Sequence, residues 1–137
     1  MSGPLANQHK NQYSGIIGTG GIGSGRSFML NGDHTLGREE SRSGRFQDSR
    51  DYCKQHIILH YMKVLLGPTF SVLPVGKIGN DDLGNSLFKE MSETGFNMSH
   101  IEKVEGVSTL FSFCFHYPDG TGGNLTTDDS ASARVDL

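Results

Sequence analysis

Three features that mark large classes of proteins are missing from this sequence. No apolar run approaches the roughly 18 residues that a membrane span needs, so we expect no membrane partner. The formal net charge of −3 offers no basic surface, so we expect no nucleic-acid partner. The opening stretch MSGPLANQHKNQYSG lacks the apolar centre of a secretory signal. We therefore predict a disordered arm over residues 1–14 of a cytoplasmic protein.

Cysteine and apolar residues are also scarce. Cys53 and Cys114 lie in different predicted elements without metal-ligand spacing, which predicts two reduced thiols and no metal site. His56 and His60 are four residues apart but enclose no glutamate, so a solvated or interface face is favoured over a metal site. An apolar share of 34% with 19 glycines among 137 residues indicates a thin core, or part of a larger domain.

Glycine is abundant where the chain leaves its polar opening. Gly18–Gly23 reads GTGGIG, which has the G-x-G-x-x-G spacing of a dinucleotide site. Such a site requires the glycines to open a helix and an acid about 20 residues later at the end of a second strand. Ser24–Asp51 is polar and aperiodic and predicts a long loop, so Glu39 and Glu40 follow no strand. We favour a bend that approaches a ligand at a strand end, and keep a dinucleotide-dependent oxidoreductase as the weaker alternative.

In the rest of the chain, segments with the apolar spacing of a strand alternate with segments that have the apolar spacing of a helix. The predicted strands are Ile16–Ile22, Phe70–Val75, Val107–Tyr117 and Gly123–Thr127. The first predicted helix runs from about Asp51 to Leu66, with an apolar face of Ile57, Ile58, Tyr61, Val64 and Leu65. The second is capped at Asn80-Asp81-Asp82, ends near Gly95, and buries Leu83, Leu87, Phe88 and Met91. This alternation predicts an α/β layer with a parallel sheet.

The stretch from Val75 onward resembles the ribokinase-like (PfkB) carbohydrate kinases, and the resemblance covers roughly Ile16 to Leu137, most strongly from Gly76 to Gly120. The positions that match the family's spacing are Gly76, Gly79, Asp81, Gly84, Gly95, Thr109, Asp119 and Gly120. The resemblance implies an α/β fold, the N-terminal portion of a mostly parallel three-layer sandwich with a small β lid. It implies that residues 15–137 form an incomplete domain, with lid segments near 24–50 and 107–127.

The same resemblance implies a function. It is ATP-dependent phosphorylation of a hydroxyl group on a sugar or nucleoside-like small molecule, with ATP and Mg²⁺ as cofactors. The family's catalytic base lies in a G-x-G-D motif that this sequence does not contain, so we assign no catalytic residue. The chain would supply the substrate side and the lid, and a homodimer through that lid is a further prediction. A non-catalytic relative that binds a small ligand is the alternative.

Six residues are predicted to line the substrate pocket, because strand ends and helix starts converge in open α/β sheets. They are Gly23, Ser24, Gly25, Arg26, Arg50 and Asp51. Two departures from the family concern this same place. The family has a sugar-binding aspartate after its first strand, but Gly23–Arg26 contains no acid, and residues 50–55 lack the family's glycine pair. The identity of the substrate is therefore left open.

Overall fold

The computed structural model describes residues 13–134, so the predicted arm over residues 1–14 lies almost wholly outside the described residues. The elements in chain order are β1 (Gly15–Thr19), β2 (Gly23–Leu30), β3 (Gly44–Tyr52), α1 (Lys54–Leu66), β4 (Ser71–Gly79), α2 (Asp82–Glu93), β5 (His100–Val104), β6 (Leu110–His116), β7 (Gly122–Thr126) and a 3₁₀ turn (Ala131–Ala133). They form two sheets and confirm the predicted α/β class.

The first sheet is parallel, with the order β1-β4-β5. Its core lies on one face, where Val72 and Ile78 of β4 meet Leu59 of α1 and Leu87 and Met91 of α2. All five side chains are at most 2% exposed. Because side chains alternate along a strand, both helices cover the same face of this sheet. Within residues 13–134 no α-helix covers the other face, where Ile17 is exposed.

The second sheet is mixed, with the order β3-β2-β6-β7. β2 runs parallel to β6, while the outer strands β3 and β7 are antiparallel to their neighbours. One face carries an aromatic cluster, in which the rings of Phe28, Phe46 and Phe113 lie 5.0 to 6.1 Å apart. The other face carries the alternate residues of β6, Ser112 and Cys114, as the alternation in the sequence predicted.

The predicted polar loop over Ser24–Asp51 is wrong, since most of this segment forms β2 and β3. The two strands pair with each other, and β2 also pairs with β6, which lies more than 80 residues further along the chain. Many side chains of β3 are exposed, so no apolar alternation marks the strand in the sequence. Pairing between distant segments, which local patterns do not report, decides this conformation.

The predicted buried face of the first helix is also wrong. Its members Ile57, Ile58, Tyr61, Val64 and Leu65 are 37% to 62% exposed. The helix begins at Lys54 and buries Gln55, His56 and Leu59 instead. Burial of His56 contradicts its predicted solvated position, whereas His60 is exposed as expected. Apolar residues lie almost all around α1, so periodicity alone could not decide which stripe meets the sheet.

The remaining boundaries differ by a few residues. β1 ends at Thr19, and the fully buried Ile22 enters the core from the following turn. β4 continues to Gly79, four residues beyond its predicted end at Val75. The second helix is confirmed, since Asp81 caps it and Leu87 and Met91 are buried.

Candidate functional site

A cavity of about 670 Å³ opens where β1 ends, α1 begins and the mixed sheet crosses above them. Ligands of open α/β folds bind at this end of parallel strands, so the position alone makes it the candidate site. The lining residues are Thr19, Gly20, Gly21, Ser24, Asp51, Tyr52, Cys53, Lys54, Gln55, Ile57, Ile58, Leu110, Ser112, Asn124 and Thr126.

The glycine-rich turn after β1 forms one wall of the cavity. Gly20 has a φ of +142°, a conformation that side chains rarely adopt, and this lets the chain reverse directly after Thr19. The turn then leads into β2, which begins at Gly23. A dinucleotide site would need a helix at this point to present its amides to the pyrophosphate. The G-x-G-x-x-G spacing therefore serves a strand-to-strand turn.

Gln55 connects β1 and β4 beneath the cavity. Its side chain is 8% exposed, and its Nε2 donates to the Gly18 carbonyl at 2.8 Å and to the Val75 carbonyl at 3.4 Å. Its Oε1 is buried and has no hydrogen-bond partner. A buried acceptor without a donor is costly, so this oxygen would gain from a ligand hydroxyl. The six predicted site residues omit Gln55, although its place in the first helical turn after a strand was the signal for it.

Asp51 supplies the cavity's carboxylate. It pairs with Gly25 across β2 and β3, and its Oδ2 accepts a hydrogen bond from the Cys114 thiol at 3.3 Å. Burial and the neighbouring Asp51 both raise the pKa of Cys114, and they raise the pKa of Cys53 in the same way. Both free thiols therefore stay protonated at neutral pH, which makes them poor nucleophiles. Of Asp51 and the two cysteines, the group that remains available to a ligand is therefore the Asp51 carboxylate.

The N-terminus of α1 adds hydrogen-bond donors to the same wall. Its N-cap residue is Cys53, whose side chain makes no capping hydrogen bond, and the first turn contains no acidic residue. The first amides of a helix have no intrahelical acceptor and carry the positive end of its dipole. Lys54 also lines the cavity, which increases the positive potential there. Acceptor atoms of a ligand would be favoured at this wall.

Arg26 and Arg50 do not face this cavity. They pair across β2 and β3 one residue beyond Gly25 and Asp51, so their side chains emerge on the opposite face of the mixed sheet. Both line a second cavity of about 440 Å³ beside α2. The Arg26 guanidinium lies 4.1 Å from the Phe46 ring centroid, an ordinary cation–π contact.

Arg50 is held by a polar cluster with α2. Its Nη1 donates to Glu90 Oε1 at 2.5 Å, and Tyr52 donates its hydroxyl to Glu90 Oε2 at 3.0 Å. Burial raises the pKa of Glu90, but the hydrogen bonds from Arg50, Tyr52 and Ser86 outweigh it, and the net pKa is lowered. The cluster fastens β3 to α2. A substrate contact by Arg50 stays a prediction.

The other predicted site residues lie at the start of β2. Ser24 lines both cavities and donates its hydroxyl to the Asp51 carbonyl at 3.0 Å. Gly25 lies between β3 and β6, where an added Cβ would fall 2.6 Å from the Ser112 carbonyl oxygen. Gly23 begins the strand and accepts a hydrogen bond from the Cys53 amide at 3.2 Å. Of the six predicted residues, Ser24 and Asp51 therefore line the first cavity, whereas Gly25, Arg26 and Arg50 line only the second and Gly23 lines neither.

Solved structures of ribokinases are similar to this chain. The Giardia lamblia ribokinase matches with a TM-score of 0.66 and 17% identity over 85% of this chain and 34% of that protein. The ribokinase of Cryptococcus neoformans var. grubii serotype A, in complex with ADP, matches with a TM-score of 0.62 and 17% identity, covering 83% and 34%. That of Arabidopsis thaliana, complexed with ribose and ATP, matches with a TM-score of 0.62 and 12% identity, covering 85% and 36%. The chain has a ribokinase-like fold.

This ribokinase-like fold is present in part, since the chain spans little more than a third of the solved structures it matches. At 12% to 17% identity the likeness establishes the fold and nothing finer. No protein-family model matches the sequence, and no curated protein does. In the part that the structure describes, no cluster of side chains could hold a metal ion, and no helix is long and apolar enough to span a membrane.

The ribokinase-like motif around Asp81 has a structural role. The carboxylate accepts hydrogen bonds from the Gly84 amide at 2.7 Å, the Thr109 amide at 2.8 Å and the Thr109 hydroxyl at 2.7 Å. Thr109 is 2% exposed, and its hydroxyl also accepts from the Gly79 amide at 2.9 Å. Asp81 therefore caps α2 and ties the helix to the segment that enters β6. This confirms the predicted capping role.

Proposed function

We propose that this chain binds the substrate of an ATP-dependent kinase that phosphorylates a hydroxyl group on a sugar or a nucleoside-like molecule. The observation that carries the proposal is the convergence of Asp51, the unpaired Gln55 Oε1 and the N-terminus of α1 on one cavity. The ribokinase-like fold supports it, because the solved relatives of this fold include enzymes with ribose, ATP or ADP bound.

The cavity suits a small polyol. Asp51 and Gln55 Oε1 accept hydrogen bonds, so they would bind ligand hydroxyls as donors. The amides of the first α1 turn would bind ligand oxygens as acceptors. The opposite wall offers Ser112, Asn124 and Thr126, which can do both. The volume of the cavity, about 670 Å³, lies inside the usual range for small-molecule sites.

The phosphate side of the reaction is not assigned to this chain. Phosphoryl transfer needs an in-line hydroxyl, a base for its proton, and cations or amides around the phosphates, with ATP supplying the phosphoryl group and Mg²⁺ neutralising charge. The sequence contains no G-x-G-D motif, and the described residues show no site for ATP or Mg²⁺. Asp51 is hydrogen-bonded to a thiol inside the substrate cavity, and we give it a binding role rather than a catalytic one.

The mixed sheet would act as a lid over the substrate. β6 and β7 present their polar row of Ser112, Cys114, Asn124 and Thr126 on the side of the cavity, as a cover needs. A homodimer through this lid and a cytoplasmic location also belong to the proposal. A dimer through the lid would cover Leu125, which is 63% exposed on β7.

Ligand titration of the purified chain tests the proposal. Calorimetry against a panel of pentoses, hexoses and nucleosides should detect at least one ligand, and Asp51→Asn should weaken its binding by more than about tenfold, or 1.4 kcal/mol. Asp48→Asn is the matched control, since Asp48 lies on the same strand but lines the second cavity. Arg26→Ala tests the remaining predicted contact. Silence across the panel would contradict the proposal.

A non-catalytic ligand-binding role is the second candidate, favoured by the absence of a G-x-G-D base from the sequence. The two differ in one measurement. A kinase that contains both the substrate side and the phosphate-binding side releases ADP when its sugar is present, whereas a binding protein does not. Tight binding of NAD instead of a sugar would favour the dinucleotide alternative.

A further inference from the structure

The backbone of Asp51 is held in place by two other elements. Its carbonyl accepts a hydrogen bond from the Ser24 hydroxyl of β2 at 3.0 Å. The residues on either side of it, Arg50 and Tyr52, both donate to the Glu90 carboxylate on α2. Because side chains alternate along β3, these two contacts lie on the face of the strand opposite to the Asp51 side chain. The main chain of Asp51 is therefore fixed, and the freedom that remains is rotation of its side chain.

The Cys114 thiol limits that rotation. Its Sγ donates to Asp51 Oδ2 at 3.3 Å, although the two residues are 63 positions apart and lie on strands that do not pair with each other. The terminal torsion of an aspartate side chain has a broad distribution, so a hydrogen bond to one carboxylate oxygen sets the direction of the other. The thiol occupies Oδ2 and leaves Oδ1 for a ligand.

Gly25 makes this contact possible. It lies on β2 between Asp51 of β3 and Ser112 of β6, and it pairs with both. A Cβ on Gly25 would lie 3.3 Å from the Asp51 Cβ and 3.2 Å from the Ser112 Cβ, so any side chain would fill the gap between them. The glycine leaves room for the Asp51 side chain to reach across β2 to Cys114, the next residue of β6 on the same face.

The Cys114 thiol is a donor at neutral pH. Burial and the neighbouring Asp51 raise the pKa of Cys114, so it keeps its proton. Its pairing partners are Ser27 of β2 and Asn124 of β7, and both are neutral. His116 lies two residues further along β6 on the same face, and its ring contacts the Ser27 hydroxyl at 3.4 Å. The thiol proton is therefore available to the Asp51 carboxylate.

We propose that Cys114 is a positioning residue that orients the Asp51 carboxylate for ligand binding. This inference rests on the proposed function, which gives Asp51 its binding role. The thiol fixes Oδ2, and Oδ1 accepts a hydrogen bond from a hydroxyl of the ligand. A carboxylate that is already oriented loses less conformational freedom on binding, so its affinity for the ligand is higher. Removal of the thiol donor therefore weakens the site without removing the group that binds.

The first test measures the contact through the thiol and needs no ligand. Alkylation of Cys114 by iodoacetamide is followed against pH in the full chain, and peptide mass spectrometry separates it from Cys53. Asp51→Asn removes the charge that opposes thiolate formation, so the pKa of Cys114 should fall and the profile should move to lower pH. At pH 7 the alkylation rate should rise by more than about threefold. Asp48→Asn, on the same strand but lining the second cavity, should leave the profile unchanged.

The second test uses a ligand that calorimetry identifies among pentoses, hexoses and nucleosides. Cys114→Ala removes the donor and should raise the dissociation constant by more than about fivefold, a change in the range of one hydrogen bond. Cys114→Ser keeps a hydroxyl donor and should stay within about threefold of wild type. Ser27→Ala is the matched control, because it removes one polar atom from the residue that pairs with Cys114 and makes its hydrogen bond to His116 rather than to Asp51. It should also leave the affinity unchanged.

Three results would overturn the positioning role. They are an alkylation profile that does not move in Asp51→Asn, wild-type affinity in Cys114→Ala, and a Cys114→Ser variant as weak as Cys114→Ala. Failure of the proposed function looks different, because then no ligand of the panel binds. In that case the alkylation profile still decides whether Cys114 holds Asp51.

Discussion

Removing the Asp81 carboxylate should destabilise the fold more than any other single change to an acidic residue described above. In Asp81→Ala the amides of Gly84 and Thr109 both lose their acceptor. Loss of a helix cap costs about 1 kcal/mol. The Thr109 amide is enclosed, and an unpaired buried donor costs about 1–3 kcal/mol more. The Thr109 hydroxyl still has Gly79 as a partner, so we add nothing for it.

The expected total is therefore about 2–4 kcal/mol, a large part of the roughly 5–15 kcal/mol of a typical domain. Thermal and urea unfolding of the full chain should show it as a fall of about 10 °C in Tm. Asp82→Ala is the matched control, since Asp82 is exposed in the first turn of the same helix and interacts with the helix dipole alone. That change should cost less than about 1 kcal/mol.

The difference should also depend on pH. Burial raises the pKa of Asp81, but the hydrogen bonds from Thr109 and Gly84 outweigh it, and the net pKa falls below the ordinary value of 3.8. As pH falls, the Asp81 carboxylate is therefore protonated in the unfolded chain before it is protonated in the folded chain. Its stabilisation of the fold is complete above about pH 4 and is lost as pH falls through the lowered pKa of the folded state. Equal losses in Asp81→Ala and Asp82→Ala, or a gap that persists unchanged in acid, would refute this reasoning.

Three further experiments test other contacts. Arg50→Ala should cost at most about 1 kcal/mol by chemical denaturation, because the ion pair with Glu90 is partly exposed; a larger loss would mean a buried role. Burial lowers the pKa of His56, so stability should fall as pH drops below about 6.5, and His56→Leu but not His60→Leu should remove that fall. Because burial raises the pKa of Cys53, its alkylation by iodoacetamide at pH 7 should be slower than that of a free thiol, and rapid labelling would contradict the assignment.

Local signals in the sequence were sufficient for the segment from β4 to α2. Three local features predict α2, and they lie within a few residues of one another. They are a cap residue, the helical apolar stripe that contains Leu87 and Met91, and a glycine after the helix. Such short-range effects do not depend on the rest of the fold. The resemblance to the ribokinase-like family was carried by this segment and by the residues that follow it up to Gly120, and the structure confirmed the fold.

The sequence could not show β2 and β3, because their conformation depends on partners far along the chain. β2 lies between β3 and β6, and its small residues Gly23, Ser24 and Gly25 fit between two neighbouring strands. Glycine and serine have low strand propensity, so local preference indicated a loop. The same pairing sets which residues share a face, and it put Asp51 and Arg50 on opposite sides of the sheet.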